Sequence, residues 1–393
     1  MSEISPYEDL LKFCKEVKEG DIIFGSANMD TAKNSYKIEQ NEKKFYIRMI
    51  GLALQRVAVN GGGPWPIRDD VHVWISHTHK VSPMVNGEGK YTHIVFPNGL
   101  FEELIYVSYQ AAANAQFFPS LPGDGSVISV SDNNPITWSR TAAWWVLCNP
   151  EEYKIVSLER AHLANILIDL MFLFCIDHEC CHCLYQHRNF GDSGLKSVEI
   201  AHVREFDADM YACNRAWDML IGSDKFLSVY GMHGPILSEL NQNSNTAHCL
   251  LSLLALSAEY ATMRIVAKDT WEYTKSFEVS VSSTDGGPAD FSTHPLEASR
   301  FALMGCTWVD ICLRTKNLDK DAIKELILFV DRYFPKWFED NGSKIPPFVA
   351  INSAEAKRWH EKLYAYWILL IKCKAVGNWI PLKQREALIK EIC

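Results

Sequence analysis

Residues 163–182 read LANILIDLMFLFCIDHECCH, an apolar run that closes on two histidines four residues apart. From Leu163 to Ile176 nearly every position is apolar, which predicts a helix buried on all sides rather than one lying at a surface. Asn165 and Asp169 interrupt the run, so it falls short of the ~20 apolar residues that a membrane span needs. The end of the run carries the chemistry. Residues four apart on a helix share a face, so His178 and His182 can turn both imidazoles toward one ion. Glu179 is rotated by about 100° from His178. From there its carboxylate can reach a water at that ion rather than the ion itself. The plain alternative makes all three residues ordinary polar groups at a helix end. That is costly for three titratable groups closing a buried helix, unless they are used.

A zinc site that does catalysis keeps three protein ligands and an open position. The third ligand must therefore come from elsewhere. Residues 205–209 read EFDAD, inside a second helix expected over 197–221, where Val198, Ala201, Ala208, Ala212 and Met219 are apolar. Glu205 is the best candidate ligand. Asp209, one helical turn on, could accept the outer N–H of His178 and so fix its tautomer. His202 lies one turn before Glu205 and is a rival. His187 follows His182 by five residues, one short of the spacing that a third histidine ligand requires. Asp207 reads as a solvated helix residue. Cys180 and Cys183 form one C-x-x-C, with no second such pair to complete a four-thiolate site. They read as buried free thiols. A structural zinc built from cysteine and histidine is the rival reading of the whole segment.

The pair HECCH and EFDAD resembles the gluzincin metallopeptidases, whose third ligand is a Glu. Ser292-Thr293-His294-Pro295 followed by Arg300 resembles a string of the M48-type peptidases. Residues 93–100, HIVFPNGL, resemble the edge strand and Gly-Leu turn before the zinc helix of that group. The M48-type enzymes commonly carry membrane spans and a longer gap to the third ligand. This chain has neither, which places the resemblance nearer a soluble relative such as the phage-exclusion-type HExxH proteases. The resemblance implies one catalytic Zn2+ per chain, held by His178, His182 and Glu205. It implies a zinc endopeptidase acting on a protein or peptide, with Glu179 as general base for the attacking water. His294 would donate to the oxyanion. Asp209 and Arg300 would stand behind the ligands. An extended substrate would pair with the strand near Ile94 and Phe96, beside Gly99. Read without the resemblance, His294-Pro295 is a helix start, where Pro suits the first position. Arg300 is then either a clamp on Asp209 or Glu205, or a surface residue. Two other classes stay open: a zinc-holding regulatory or defence protein without catalysis, and a structural zinc protein.

The 393 residues, 48% hydrophobic and 12% aromatic, suffice for one large core. The expected fold class is α+β and zincin-like. A small N-terminal mixed sheet packs on a mainly helical C-terminal half, with the zinc helix at the cleft. The expected strands are 71–75, 91–96 and 125–131. Expected helices cover 5–17, 45–58, 99–114, 158–187 and 197–221, with more from 246 onward. Residues 1–315 form the expected metallopeptidase domain, with 1–155 mixed and 156–315 helical, and 316–393 form a helical extension. Asn60-Gly61-Gly62-Gly63-Pro64 reads as a plain turn, and His77 and His79 as polar strand ends. A net charge of −9 gives no basic footprint for nucleic acid. The twelve cysteines are irregularly spaced, and residues 1–18 lack an apolar signal region. Together these predict reduced thiols and a cytoplasmic protein.

Overall fold

The computed structural model of the chain describes residues 4–14, 17–18, 20–26, 40–60, 71–86, 90–113, 157–184 and 197–222, with single positions between 255 and 365. Five helices and four strands fall in these segments: α1 (Pro6–Phe13), β1 (Ile22–Gly25), α2 (Gln40–Asn60), β2 (Val71–Ser76), β3 (Met84–Asn86), β4 (Thr92–Pro97), α3 (Asn98–Ala113), α4 (Leu158–Leu184) and α5 (Ser197–Gly222). The class is α+β, a small mixed sheet with helices. The strand expected at 125–131 lies outside the described residues. So does almost all of the expected C-terminal extension. Among the described residues no helix is long and apolar enough to cross a membrane.

The lack of a polar face on α4 is explained by its neighbours. Helices α2, α3 and α5 all pack on it, and β3 lies against it. Every residue described from Phe172 to Cys181 is buried. The helix α1 begins with a reciprocal cap, as Ser5 and Glu8 each satisfy the other's backbone N–H at 3.0 and 3.3 Å, with Pro6 in the first turn.

The sheet order is β1-β2-β4-β3. β2 and β4 are parallel in one register from Val71↔Thr92 to Ser76↔Pro97, and β1 and β3 flank them antiparallel. Side chains of β4 alternate between two layers. Val95 joins Leu10, Cys14 and Trp74 in the core beneath α1. His93 on the same face meets Asp9 of α1 at 3.2 Å and accepts the Trp74 indole N–H at 3.0 Å. Phe96 on the other face packs edge-on against Phe172 of α4 and against Phe101 of α3. The sheet is thus covered on both faces.

This order corrects the expected edge position of the strand. β4 is a central strand, not an edge. Ile94 sits between Val73 and Val85, and the Phe96 side chain is fully enclosed. Gly99 serves the backbone. Its N–H donates to the Thr78 carbonyl at 2.9 Å, and a Cβ there would stand 2.6 Å from the carbonyl oxygens of His79 and Lys80. Ile94, Phe96 and Gly99 are therefore part of the buried frame. Among the described residues the outer strand on the α4 side is β3, three residues long and without a sequence signature.

Candidate metal centre

Two helices supply the site. α4 is fixed by its apolar surroundings and delivers His178, Glu179 and His182 at its last turns. α5 packs along it, with Val203, Phe206, Met210 and Cys213 buried, and presents Glu205 and Asp209 to the same place. His178 Nε2 is 3.1 Å from His182 Nε2 and 3.3 Å from Glu205 Oε2, and His182 Nε2 is 3.5 Å from Glu205 Oε1. Atoms bonded tetrahedrally to one zinc at 2.0–2.1 Å would stand about 3.3 Å apart. Among the described residues, His178, His182 and Glu205 are the one set of three whose ligand atoms converge in this way.

The surroundings fix the orientation of the ligands. His178 donates from Nδ1 to Asp209 Oδ1 at 3.0 Å, which leaves the Nε2 lone pair facing the cluster. Arg300 clamps Asp209 with two parallel hydrogen bonds of 2.7 Å, and its Nη2 lies 3.8 Å from Glu205 Oε2. Buried and ion-paired, it is the clamp and not a surface residue. Asp209 is consequently held below the usual carboxylate range. Burial would raise it, but the Arg300 charge and hydrogen bonds and the His178 contact outweigh that.

The site gathers negative charge. The carboxylates of Glu179, Glu205 and Asp209 contribute −3 and Arg300 contributes +1, leaving −2 if both histidines are neutral. The protein alone answers this by holding a proton. Burial disfavours charge on His178, yet its hydrogen bonds and charge contacts with Asp209 and Glu205 raise its pKa to about 10. The donor set of two imidazoles and a carboxylate would suit a divalent cation such as zinc, whose two positive charges would exceed that of the single proton. Glu179 is 7% exposed, and burial lifts it to about 7, against the pull of His178 and with the push of Glu205. Among the described residues its carboxylate makes no hydrogen bond.

The structure therefore brings together His178, Glu179, His182, Glu205, Asp209 and Arg300. His294 lies outside the described residues, as does His187. His202 is fully buried and is not in the converging set. Asp207 is not solvated: it is 5% exposed and accepts from the Cys181 thiol at 3.5 Å, where α4 and α5 touch. Cys180 and Cys181 are buried free thiols and Cys183 is a half-buried one. His77 and His79 are exposed beyond β2, their rings 6.2 Å apart. One group went unread in the sequence. Arg56 of α2 grips Asp177, the residue before His178, with bonds of 3.1 and 2.5 Å. The only cue was an Asp inside an apolar helix, which requires a cation from somewhere. In comparisons with known proteins, no family model matches the chain, no curated protein matches it and no solved structure matches it.

Proposed function

We propose that this chain is a zinc-dependent metallopeptidase with a zincin-like arrangement, cleaving peptide bonds in a protein or peptide substrate. The observation that carries this reading is the convergence of His178, His182 and Glu205 beside the buried carboxylate of Glu179, which lies within electrostatic reach of His178 and Glu205. A structural zinc gives no role to a buried glutamate at that place. The HECCH and EFDAD strings and their resemblance to gluzincins support it independently.

When bound, zinc polarises the scissile carbonyl and acidifies a water. The chain's own residues do the rest. His178, His182 and Glu205 hold the ion, with Asp209 keeping the His178 lone pair on it. Glu179 takes the proton from the attacking water at a carboxylate oxygen and returns it to the leaving amine nitrogen. Burial places that carboxylate where it can both accept and release a proton near neutral pH. The outer strand β3, antiparallel to β4 and beside α4, takes over from β4 as the place for an extended peptide. Glu179→Gln is the test, with a mixed peptide pool and wild type alongside. The variant should keep its metal and lose roughly 10²–10⁴-fold in turnover. A variant as active as wild type would remove the peptidase mechanism.

A further inference from the structure

Two ion pairs join α2 to α4. Arg48 Nη2 lies 3.0 Å from Asp169 Oδ1, and Arg56 meets Asp177 through Nε–Oδ1 at 3.1 Å and Nη2–Oδ2 at 2.5 Å. The pairs stand eight residues apart on both helices and in the same direction, so α2 and α4 run parallel and the pairs are two rungs between them. The rungs differ in place. The Arg48 side chain is 40% exposed and that of Arg56 11%, while both carboxylates are 1% exposed. Asp177 immediately precedes His178, and on a helix it points about 100° away from it. Cys180, three residues on from Asp177, is within electrostatic reach of Arg56, and so is Tyr211 of α5, two residues from Asp209. Arg56 therefore stands behind both helices that carry the metal ligands.

We propose that Arg56 is a positioning residue for the metal centre: through Asp177 it fixes the rotation of α4 about its axis, and hence the aim of His178 and His182. A planar guanidinium with two directed bonds can resist such a rotation, whereas a single charge contact cannot. Asp169 has the lesser partner: among the described residues Arg48 meets it through Nη2 alone, at 3.0 Å and without the alignment of a hydrogen bond. The upper rung thus serves as an internal control with the same chemistry, two turns from the site.

This inference rests on the metal-centre reading, and its test separates the two. The probes are zinc, titrated against a competing chelator, and cobalt, read by its visible spectrum. They are applied to the full chain as wild type, as Arg56→Met/Asp177→Leu and as Arg48→Met/Asp169→Leu. Replacing both partners removes the charges together, so neither double variant is left with an uncompensated buried ion. We expect zinc to bind roughly tenfold or more weakly to the Arg56/Asp177 variant, with an altered cobalt spectrum. The Arg48/Asp169 variant should bind as wild type does. Equal affinities and spectra in the two double variants would overturn the inference while leaving the metal centre standing. If wild type takes up neither metal, the metal-centre reading fails and this inference with it. Should the Arg56/Asp177 variant not fold, Arg56→Lys keeps the charge and loses the paired geometry. Folded Arg56→Lys with weakened zinc binding supports the role, and wild-type affinity overturns it.

Discussion

The two nitrogens of His178 do opposite things, and the site depends on the difference. Nδ1 is spent on Asp209, which is itself held by Arg300, so Nε2 is left to face His182 and Glu205. Removing the carboxylate should free the ring to turn and to change tautomer. Asp209→Ala is expected to weaken zinc binding by roughly 10–100-fold. Zinc titration against a chelator checks this, and an unchanged affinity would deny Asp209 its orienting role. A second residue-scale outcome concerns Asp169, where burial, against the charge of Arg48, lifts the carboxyl from an ordinary 3.8 to about 6. Its folded pKa is raised, so its favourable contribution is full below pH 3.8 and is lost as pH rises through 6. Above pH 6 the ionised group costs the fold up to about 3 kcal/mol, at 1.36 kcal/mol per pH unit. Asp169→Asn should therefore raise stability to urea at pH 7.5 and leave it nearly unchanged at pH 4. A less stable variant at pH 7.5 would mean that the Arg48 contact outweighs burial. At this scale the sequence was informative wherever spacing carried the message. The i, i+4 rule pairs His178 with His182 and Glu205 with Asp209, but the choice of Glu205 over His202 also leaned on the family resemblance. Arg56 and Asp177 could not be paired this way, because they lie 121 residues apart and only the packing of α2 on α4 brings them together.

Among the elements, helices were more legible than strands for a physical reason. α2, α3, α4 and α5 are long enough for apolar periodicity, or its loss on full burial, to show. β1 has four residues, all buried, and β3 has three, so neither displays an alternation. β4 was found as a strand, but its place in the sheet was not. A six-residue strand buried throughout reads alike at an edge and at the centre, and register is decided by partners that the sequence does not announce. The turn into α3 shows the consequence. Gly99 sits where the backbone of 79–80 crosses it, and Gly99→Ala would press a methyl group against two carbonyl oxygens. Backbone there has no flexible end to yield, so we expect a loss of about 1–3 kcal/mol in stability. Chemical denaturation measures it, and a neutral substitution would contradict the close approach.

For the molecule as a whole, the expected α+β class is seen in the small mixed sheet and its helices. Composition and net charge could never have located the site. They describe an acidic chain, whereas the candidate site is two histidines and a glutamate brought together where α4 and α5 meet. A site placed on two already packed helices should not be what holds the fold together. Chelation is accordingly expected to lower the melting temperature, by an amount that grows with the logarithm of the free zinc removed, while leaving the far-ultraviolet helical signal in place. Loss of that signal on chelation would instead mark the ion as structural. The most direct measurement of the central claim is metal content by elemental analysis on tag-free protein, with wild type beside His178→Ala and Glu205→Ala. The account predicts about one zinc per chain in wild type and loss or marked weakening in both variants. Wild type without zinc, or zinc retained undiminished in both variants, would contradict it.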